Sequence, residues 1–148
     1  MVTLTIDQKH IQVAEGTTIL EAAEQNGIPI PRLCYLKEIN EIGACRICCV
    51  EVEGKEKLIT SCNNLVEDGM VIYTNSPKVR MNRRNMIELI LSQHDCRCAS
   101  CVRSGNCSLQ KIANALNVID TPFHLDIERI PWNQNFPLIR DSAIKYRV

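Results

Sequence analysis

The 148-residue sequence has no excess of charge of either sign, since 17 basic side chains balance 17 acidic ones. Without a global field it has no means of gathering nucleic acid or anionic lipid, and no interleaving of aromatic and basic residues offers a platform for stacked bases. Nucleic-acid binding is therefore not expected. No stretch approaches the roughly 18 consecutive apolar residues that span a bilayer. The start, "MVTLTIDQKH", lacks the basic segment and apolar run of a secretory signal. A cytoplasmic chain without a membrane span is the expectation. No Ser-His-Asp set, Gly-rich phosphate loop or dinucleotide fingerprint is present, so neither a hydrolytic nor a nucleotide site is expected. What the chain does have is nine cysteines. In a reducing compartment these do not read as a disulfide scaffold, and an odd number fits complete pairing poorly. Metal binding becomes the leading explanation.

A hydrophobic fraction of 45% is that of a globular protein. Charge is unevenly spread: residues 1–75 carry 11 acidic and 6 basic side chains, residues 76–120 carry 3 and 7. That asymmetry suggests two modules. "VTLTI" alternates with period two and "HIQV" resumes extended structure after "DQK", so residues 2–13 read as a hairpin. Thr18 and Glu21 have capping-box spacing, "ILEAAEQN" favours a helix, and Gly27 supplies a left-handed stop before "IPIP". A hairpin followed by a crossing helix is the opening of a β-grasp fold. "CVEVEGKEKLITSC" reads as two strands turning at Gly54, and "GMVIYT" as another. Ser76-Pro77 suits the N-cap and first turn of a helix running toward Ser92, with the module boundary near Asn75. Leu109, Ile112, Ala113 and Leu116 give a later segment one apolar stripe and mark a short amphipathic helix. Residues 121–148, broken by Pro122, Pro131 and Pro137, are expected to drape over a surface of the chain itself or of a partner.

Cys34, Cys45, Cys48 and Cys62 are separated by ten, two and thirteen residues. Four soft thiolates suit zinc or an iron–sulfur cluster. Zinc sites usually use two short cysteine pairs, whereas only the central C-x2-C is short here, as expected of a loop wrapped around a [2Fe-2S] rhomb. The spacing departs from the plant-type pattern at its first interval. With "GACRICCVEVEG", the segment resembles the β-grasp [2Fe-2S] domain that opens the large iron–sulfur subunit of respiratory complex I and many [FeFe]-hydrogenases. The resemblance assigns Cys45 and Cys48 as ligands, with Cys34 and Cys62 completing the set. Cys49 is expected to point to the opposite sheet face and to act as a small hydrophobe.

"HDCRCASCVRSGNC" places His94, Cys98, Cys101 and Cys107 in the order H-x3-C-x2-C-x5-C. This resembles the [4Fe-4S] site with one histidine and three cysteine ligands that follows the β-grasp domain in the same subunits. A neutral imidazole in place of a thiolate removes one negative charge and raises the potential, and a bond from its second nitrogen, with Asp95 adjacent, would link reduction mildly to pH. An all-cysteine set of Cys96, Cys98, Cys101 and Cys107, with His94 on the surface, is the alternative.

The fold class expected is therefore α+β. A ferredoxin-like [2Fe-2S] domain over 1–75 precedes a small helical [4Fe-4S] domain over 76–120 and an extended segment over 121–148. The resemblance implies one [2Fe-2S] and one [4Fe-4S] cluster in an electron-transfer subunit without a catalytic site of its own. It would stand between a flavoprotein NAD(P)H-oxidising subunit of complex I type and a second redox subunit, in a soluble and potentially electron-bifurcating complex. Absence of any cysteine after Cys107 argues against a hydrogenase active-site cluster. Rival readings are a truncated N-terminal part of an [FeFe]-hydrogenase or NADH dehydrogenase subunit, a zinc-stabilised interaction module, and a redox sensor using Cys49 or Cys96. The basic run Lys78, Arg80, Arg83 and Arg84 reads as a solvated helix face.

Overall fold

A computed structural model describes residues 1–94, 96–120 and 122–123. Two compact units divide between Met86 and Ile87. In the first, strand β1 (Val2–Ile6) turns back as β2 (Lys9–Val13), with Val2 opposite Val13 and Ile6 opposite Lys9. The two-residue turn Asp7-Gln8 has positive φ at both positions, 47° and 70°, the backbone twist that suits a tight hairpin. Asp7 does more than turn the chain. Its carboxylate accepts from the Thr74 N–H at 2.8 Å and from the Thr74 hydroxyl, fastening the hairpin to a segment 67 residues away.

Helix α1 (Ile19–Gln25) follows, with the expected capping box in place: Thr18 Oγ1 accepts from the Glu21 N–H, and the Glu21 carboxylate accepts from the Thr18 N–H. Gly27, at φ +72°, ends it in a Schellman motif, the Ile28 N–H reaching the Ala23 carbonyl at 2.9 Å. Strands β3 (Cys49–Val52), β4 (Ile59–Thr60) and β5 (Val71–Tyr73) complete a five-stranded mixed sheet in the order β2-β1-β5-β3-β4. The β1–β5 pair is parallel and the others are antiparallel. A sheet of this order with a helix packed by Ile19, Leu20, Ala22 and Ala23 is the expected β-grasp. Leu4, Ile6, Ile19, Leu20, Val50 and Ile72 are sealed in its core, and Cys48 and Cys62 belong to that core.

Helix α2 (Pro77–Ser92) starts where Ser76-Pro77 places it, with Ser76 Oγ accepting from the Val79 N–H at 3.3 Å. In the second unit a 3-10 turn (Cys98–Ser100) precedes helix α3 (Ser108–Ala115), where Leu109 and Ala113 are buried. Asn117, at φ 53°, ends α3 in a second Schellman motif that returns the buried Val118 to the Ala113 carbonyl at 2.9 Å. Among the described residues no helix is long and apolar enough to cross a membrane. Asp95 and the segment beyond Phe123 lie outside the described residues, as do the expectations that fall on them.

Candidate metal centre

The four cysteines of the first set come from three segments that the β-grasp brings together. Sheet register delivers two of them. Cys49 pairs with Thr60, and the ladder continues through the Ser61 N–H, which donates to the Cys48 carbonyl at 3.1 Å, so Cys48 and Cys62 emerge at the same end of the β3–β4 hairpin. Ser61 Oγ adds a second bond to that carbonyl at 2.8 Å. The Ser61 and Asn64 carbonyls accept from the Leu20 and Ile19 N–H groups, so the open donors at the start of α1 hold the Cys62 loop. Cys34 and Cys45 bound a loop folded on itself. Leu36 and Asn40 bond reciprocally, Asn40 Nδ2 donates to the Cys34 carbonyl at 2.7 Å, and the Cys45 N–H points at Cys34 Sγ at 3.4 Å.

Gly43 shows why this loop needs the residues it has. It sits at φ +64°, and a Cβ there would meet Asn63 Nδ2 and Thr60 Oγ1 at 3.2 Å and Thr60 Cγ2 at 3.3 Å. Backbone therefore approaches the Cys62 segment so closely that a side chain here would have to push Thr60 or Asn63 back by a few tenths of an ångström, at a φ that favours glycine. Arg46, between two of the cysteines, adopts φ 56° despite its side chain.

Electrostatics group the thiols in twos. Burial and then contact with Cys48 push the Cys62 thiol up to about 12. Burial also raises Cys34, whereas in Cys45 it is outweighed by hydrogen bonds from the Ile47 backbone and from Cys34, leaving Cys45 below its ordinary value. Cys62 also feels Cys34 and Cys45, so it links the two pairs electrostatically. No disulfide joins any of the nine cysteines. Among the described residues no three His, Cys, Asp or Glu donors converge on one metal-ion position. Two cysteine pairs, with backbone N–H groups aimed at the sulfurs, form a donor set that fits a two-iron rhomb. Cys49 is buried but outside the core that Cys48 and Cys62 join.

The second set is arranged differently. Cys98 opens the 3-10 turn and Cys101 is its C-cap, Cys107 is the N-cap of α3, and His94 follows the end of α2. Cys107 Sγ accepts from the Gln110 N–H and Cys101 Sγ from the Arg103 N–H, each at 3.5 Å. Cys107 Sγ thus satisfies one of the open amide donors at the start of α3. His94 Nδ1 is buried without a hydrogen-bond partner among the described residues. A nitrogen left so is costly unless something else binds it, and that fits a ligating imidazole. Cys96 and Cys98 are exposed.

One residue was misread from sequence. Arg83 is not part of a solvated face: Lys78, Arg80 and Arg84 are exposed, but Arg83 is only 5% accessible. It lies four residues from Val79 and four from Ile87, both fully buried, on the inward stripe of α2. Its Nε donates to the Ile47 carbonyl at 3.0 Å and a terminal nitrogen to the Cys49 carbonyl at 3.1 Å. The spacing to Val79 and Ile87 was the available signal.

Fold and donor set together define a ferredoxin-like iron–sulfur protein with a second iron–sulfur region after it. Residues 1–77 match the family described as 2Fe-2S iron-sulfur cluster binding domain, and the chain belongs to that family. Residues 83–122 match the NADH-ubiquinone oxidoreductase-G iron-sulfur binding region. The cofactors so indicated are one [2Fe-2S] and one [4Fe-4S] cluster. The chain is 42% identical over 142 residues to the NADPH-Fe(3+) oxidoreductase subunit alpha of Geobacter sulfurreducens, covering 96% of this chain and 17% of that one. It is 44% identical over 128 residues to the NADP-reducing hydrogenase subunit HndD of Solidesulfovibrio fructosivorans (83% and 22%). With an NADH-quinone oxidoreductase subunit of Rickettsia bellii it shares 38% over 145 residues (98% and 21%). The chain thus spans about a fifth of the length of these relatives. Among solved structures, an NAD+-reducing [NiFe]-hydrogenase in the H2-reduced state aligns with a TM-score of 0.82 at 30% identity, covering 92% of this chain and 57% of that one.

Proposed function

We propose that the chain relays electrons between a flavoprotein that oxidises NAD(P)H and a second redox subunit, within a cytoplasmic and potentially electron-bifurcating complex. Cys34, Cys45, Cys48 and Cys62 hold the [2Fe-2S] cluster, and His94, Cys98, Cys101 and Cys107 hold the [4Fe-4S] cluster. A module over 1–75 carries the first and one over 76–120 the second. The observation that carries the reading is the succession of two matched iron–sulfur regions, residues 1–77 and 83–122, in one short chain.

Bound clusters would accept and pass on single electrons. The chain's own residues fix and shield them. Cys48 and Cys62 are 1% and 0% accessible, so that side of the first site excludes water. Cys34 and Cys45 are only partly covered, and Leu36, Ile39 and Ile42 stand exposed in the loop between them. Electrons are therefore exchanged with a partner from the Cys34–Cys45 side.

A second reading has the same relay working as the N-terminal part of a longer hydrogenase or dehydrogenase subunit, favoured by the 17–22% of each relative that the chain covers. Anaerobic purification with iron, sulfide and zinc analysis tests both readings. About six irons and six sulfides per chain are expected, with two distinct paramagnets on reduction. Stoichiometric zinc with little sulfide would refute both readings. The size of the protein isolated from its native cells separates the two.

A further inference from the structure

Arg83 is a buried cation without a carboxylate partner. Its guanidinium bonds are to two carbonyls, those of Ile47 and Cys49, and no ion pair reaches it among the described residues. Asp7, the one carboxylate that acts on it electrostatically, has its oxygens engaged by the Thr74 N–H and hydroxyl. Buried charges are ordinarily paired, because an isolated ion loses its hydration for nothing. Two carbonyl dipoles compensate only partly. The interior must supply negative charge from elsewhere.

Cys48 is the residue between the two carbonyls that Arg83 holds. The Cys48 carbonyl is itself held by the Ser61 N–H and hydroxyl, so three consecutive carbonyls around this one cysteine are pinned. Burial makes Arg83 less ready to carry its proton, and negative charge placed at Cys48 and then Cys49 would offset that burial only in part. A [2Fe-2S] cluster on four thiolates is a net anion and gains a further negative charge on reduction. In a low-dielectric interior, a fixed cation beside it favours the more negative, reduced form.

We propose that Arg83 is the internal counter-cation of the [2Fe-2S] cluster, a positioning residue on α2 that fixes the backbone on both sides of Cys48 and raises the cluster's potential. The proposal rests on Cys34, Cys45, Cys48 and Cys62 being the ligands. Arg83 does not touch the reacting atoms through any bond of its own. It acts through the Cys48 backbone and through charge.

The test uses full-length protein with both clusters, purified anaerobically, and EPR-monitored redox titration of the [2Fe-2S] signal. Arg83→Gln keeps a hydrogen-bond donor but removes the charge, and should shift the reduction equilibrium at least tenfold toward the oxidised cluster, a fall of 59 mV for one electron. Arg83→Lys keeps the charge while losing the forked geometry, and should stay within threefold of the unaltered protein. A loaded Arg83→Gln protein with unchanged potential would overturn the proposal, as would equal shifts in both variants. Should Arg83→Gln fail to hold the cluster, Arg83→Lys decides the matter. A loaded Lys variant near the original potential shows that charge is what the site requires, and an unloaded one reduces Arg83 to a backbone clamp. Failure of the ligand assignment looks different: Cys48→Ser would then leave the [2Fe-2S] signal intact, and the Arg83 proposal would fall with it.

Discussion

Gly43→Ala is the substitution whose cost can be worked most directly from the geometry of the first site. Two terms oppose folding. An alanine at φ +64° takes on the left-handed penalty, on the order of 1–2 kcal/mol, of which about 0.4–1 kcal/mol is offset by the stiffer unfolded chain. Its methyl would also stand 3.2–3.3 Å from three atoms of Thr60 and Asn63. Those atoms cannot retreat freely, since Thr60 is 3% accessible, its hydroxyl bonds Asn63, and its carbonyl accepts from Asn64 Nδ2 at 2.7 Å. Crowding of this kind costs roughly 1–3 kcal/mol. The terms sum to roughly 1–5 kcal/mol, centred on about 2–3 kcal/mol, which is roughly 10 °C or more in the melting of a unit of this size. Gly54→Ala is the matched control, because Gly54 has φ +78° and open space around it, and only the conformational term of about 1 kcal/mol or less applies. Thermal melting of the two cluster-loaded variants at one scan rate, with the rate of [2Fe-2S] loss followed by absorbance, measures the difference. Equal destabilisation within about 0.5 kcal/mol would refute the claim that the Cys45 and Cys62 loops meet at Gly43.

Serine at any of Cys34, Cys45, Cys48 or Cys62 should abolish the [2Fe-2S] EPR signal, while Cys49→Ala should keep it at a cost of no more than about 1–2 kcal/mol; a cluster lost with Cys49 alone would put the ligand set in error. His94→Ala should lower iron by up to four per chain through the [4Fe-4S] cluster and Cys96→Ser should not, and the reverse pattern would favour the all-cysteine alternative. Contact with Lys37 and then the Thr18 N–H hold the Glu21 carboxyl below its usual range, so its contribution to stability is present above the ordinary carboxylate pKa and is lost as pH falls through the lowered one. Melting of Glu21→Gln beside the unaltered protein should show a gap that narrows on acidification; a gap that widens would contradict the sign.

Local chemistry made much of this fold legible. Thr18 and Glu21 three residues apart, Gly27 at the helix stop and Ser76-Pro77 at a helix start each satisfy a backbone requirement within one turn, so sequence neighbours suffice to read them. Cysteine spacing pointed to a loop wrapped around an iron–sulfur cluster because it limits how a loop can wrap, and the family resemblance supplied the candidate donor sets. Less legible was whatever depends on distant partners. The parallel β1–β5 pair and the Asp7–Thr74 fastening join residues more than sixty apart, and nothing in either segment names the other. Arg83 was misread because the other three residues of its basic run, Lys78, Arg80 and Arg84, are indeed exposed. A count of charges hides the one position that the helical period turns inward. Cys107 escaped notice as an N-cap because a thiol is not among the side chains that usually fill that place.

The two donor sets also differ in what holds them before any iron binds. Cys48 and Cys62 are core residues fixed by sheet register, and Cys34 and Cys45 are tied by hydrogen bonds within their loop. Cys98 is exposed, Cys101 and Cys107 are half-buried, and the three ride on short turns and a helix end. Among the described residues the buried apolar side chains of the second unit are Ile87, Leu109, Ala113 and Val118. Among these described residues the apolar burial is slight beside a backbone entropy on the order of 1–2 kcal/mol per residue, whereas the first unit closes a core of its own. Metal binding that orders such a segment is folding free energy. Removing iron by anaerobic chelation should therefore expose the amides of residues 96–118 to hydrogen exchange well before those of β1, β3 and β5. Restoring the [4Fe-4S] cluster should protect them again. Equal loss of protection in both regions would mean that the second unit is held by packing, and that the cluster is a guest there rather than part of its core.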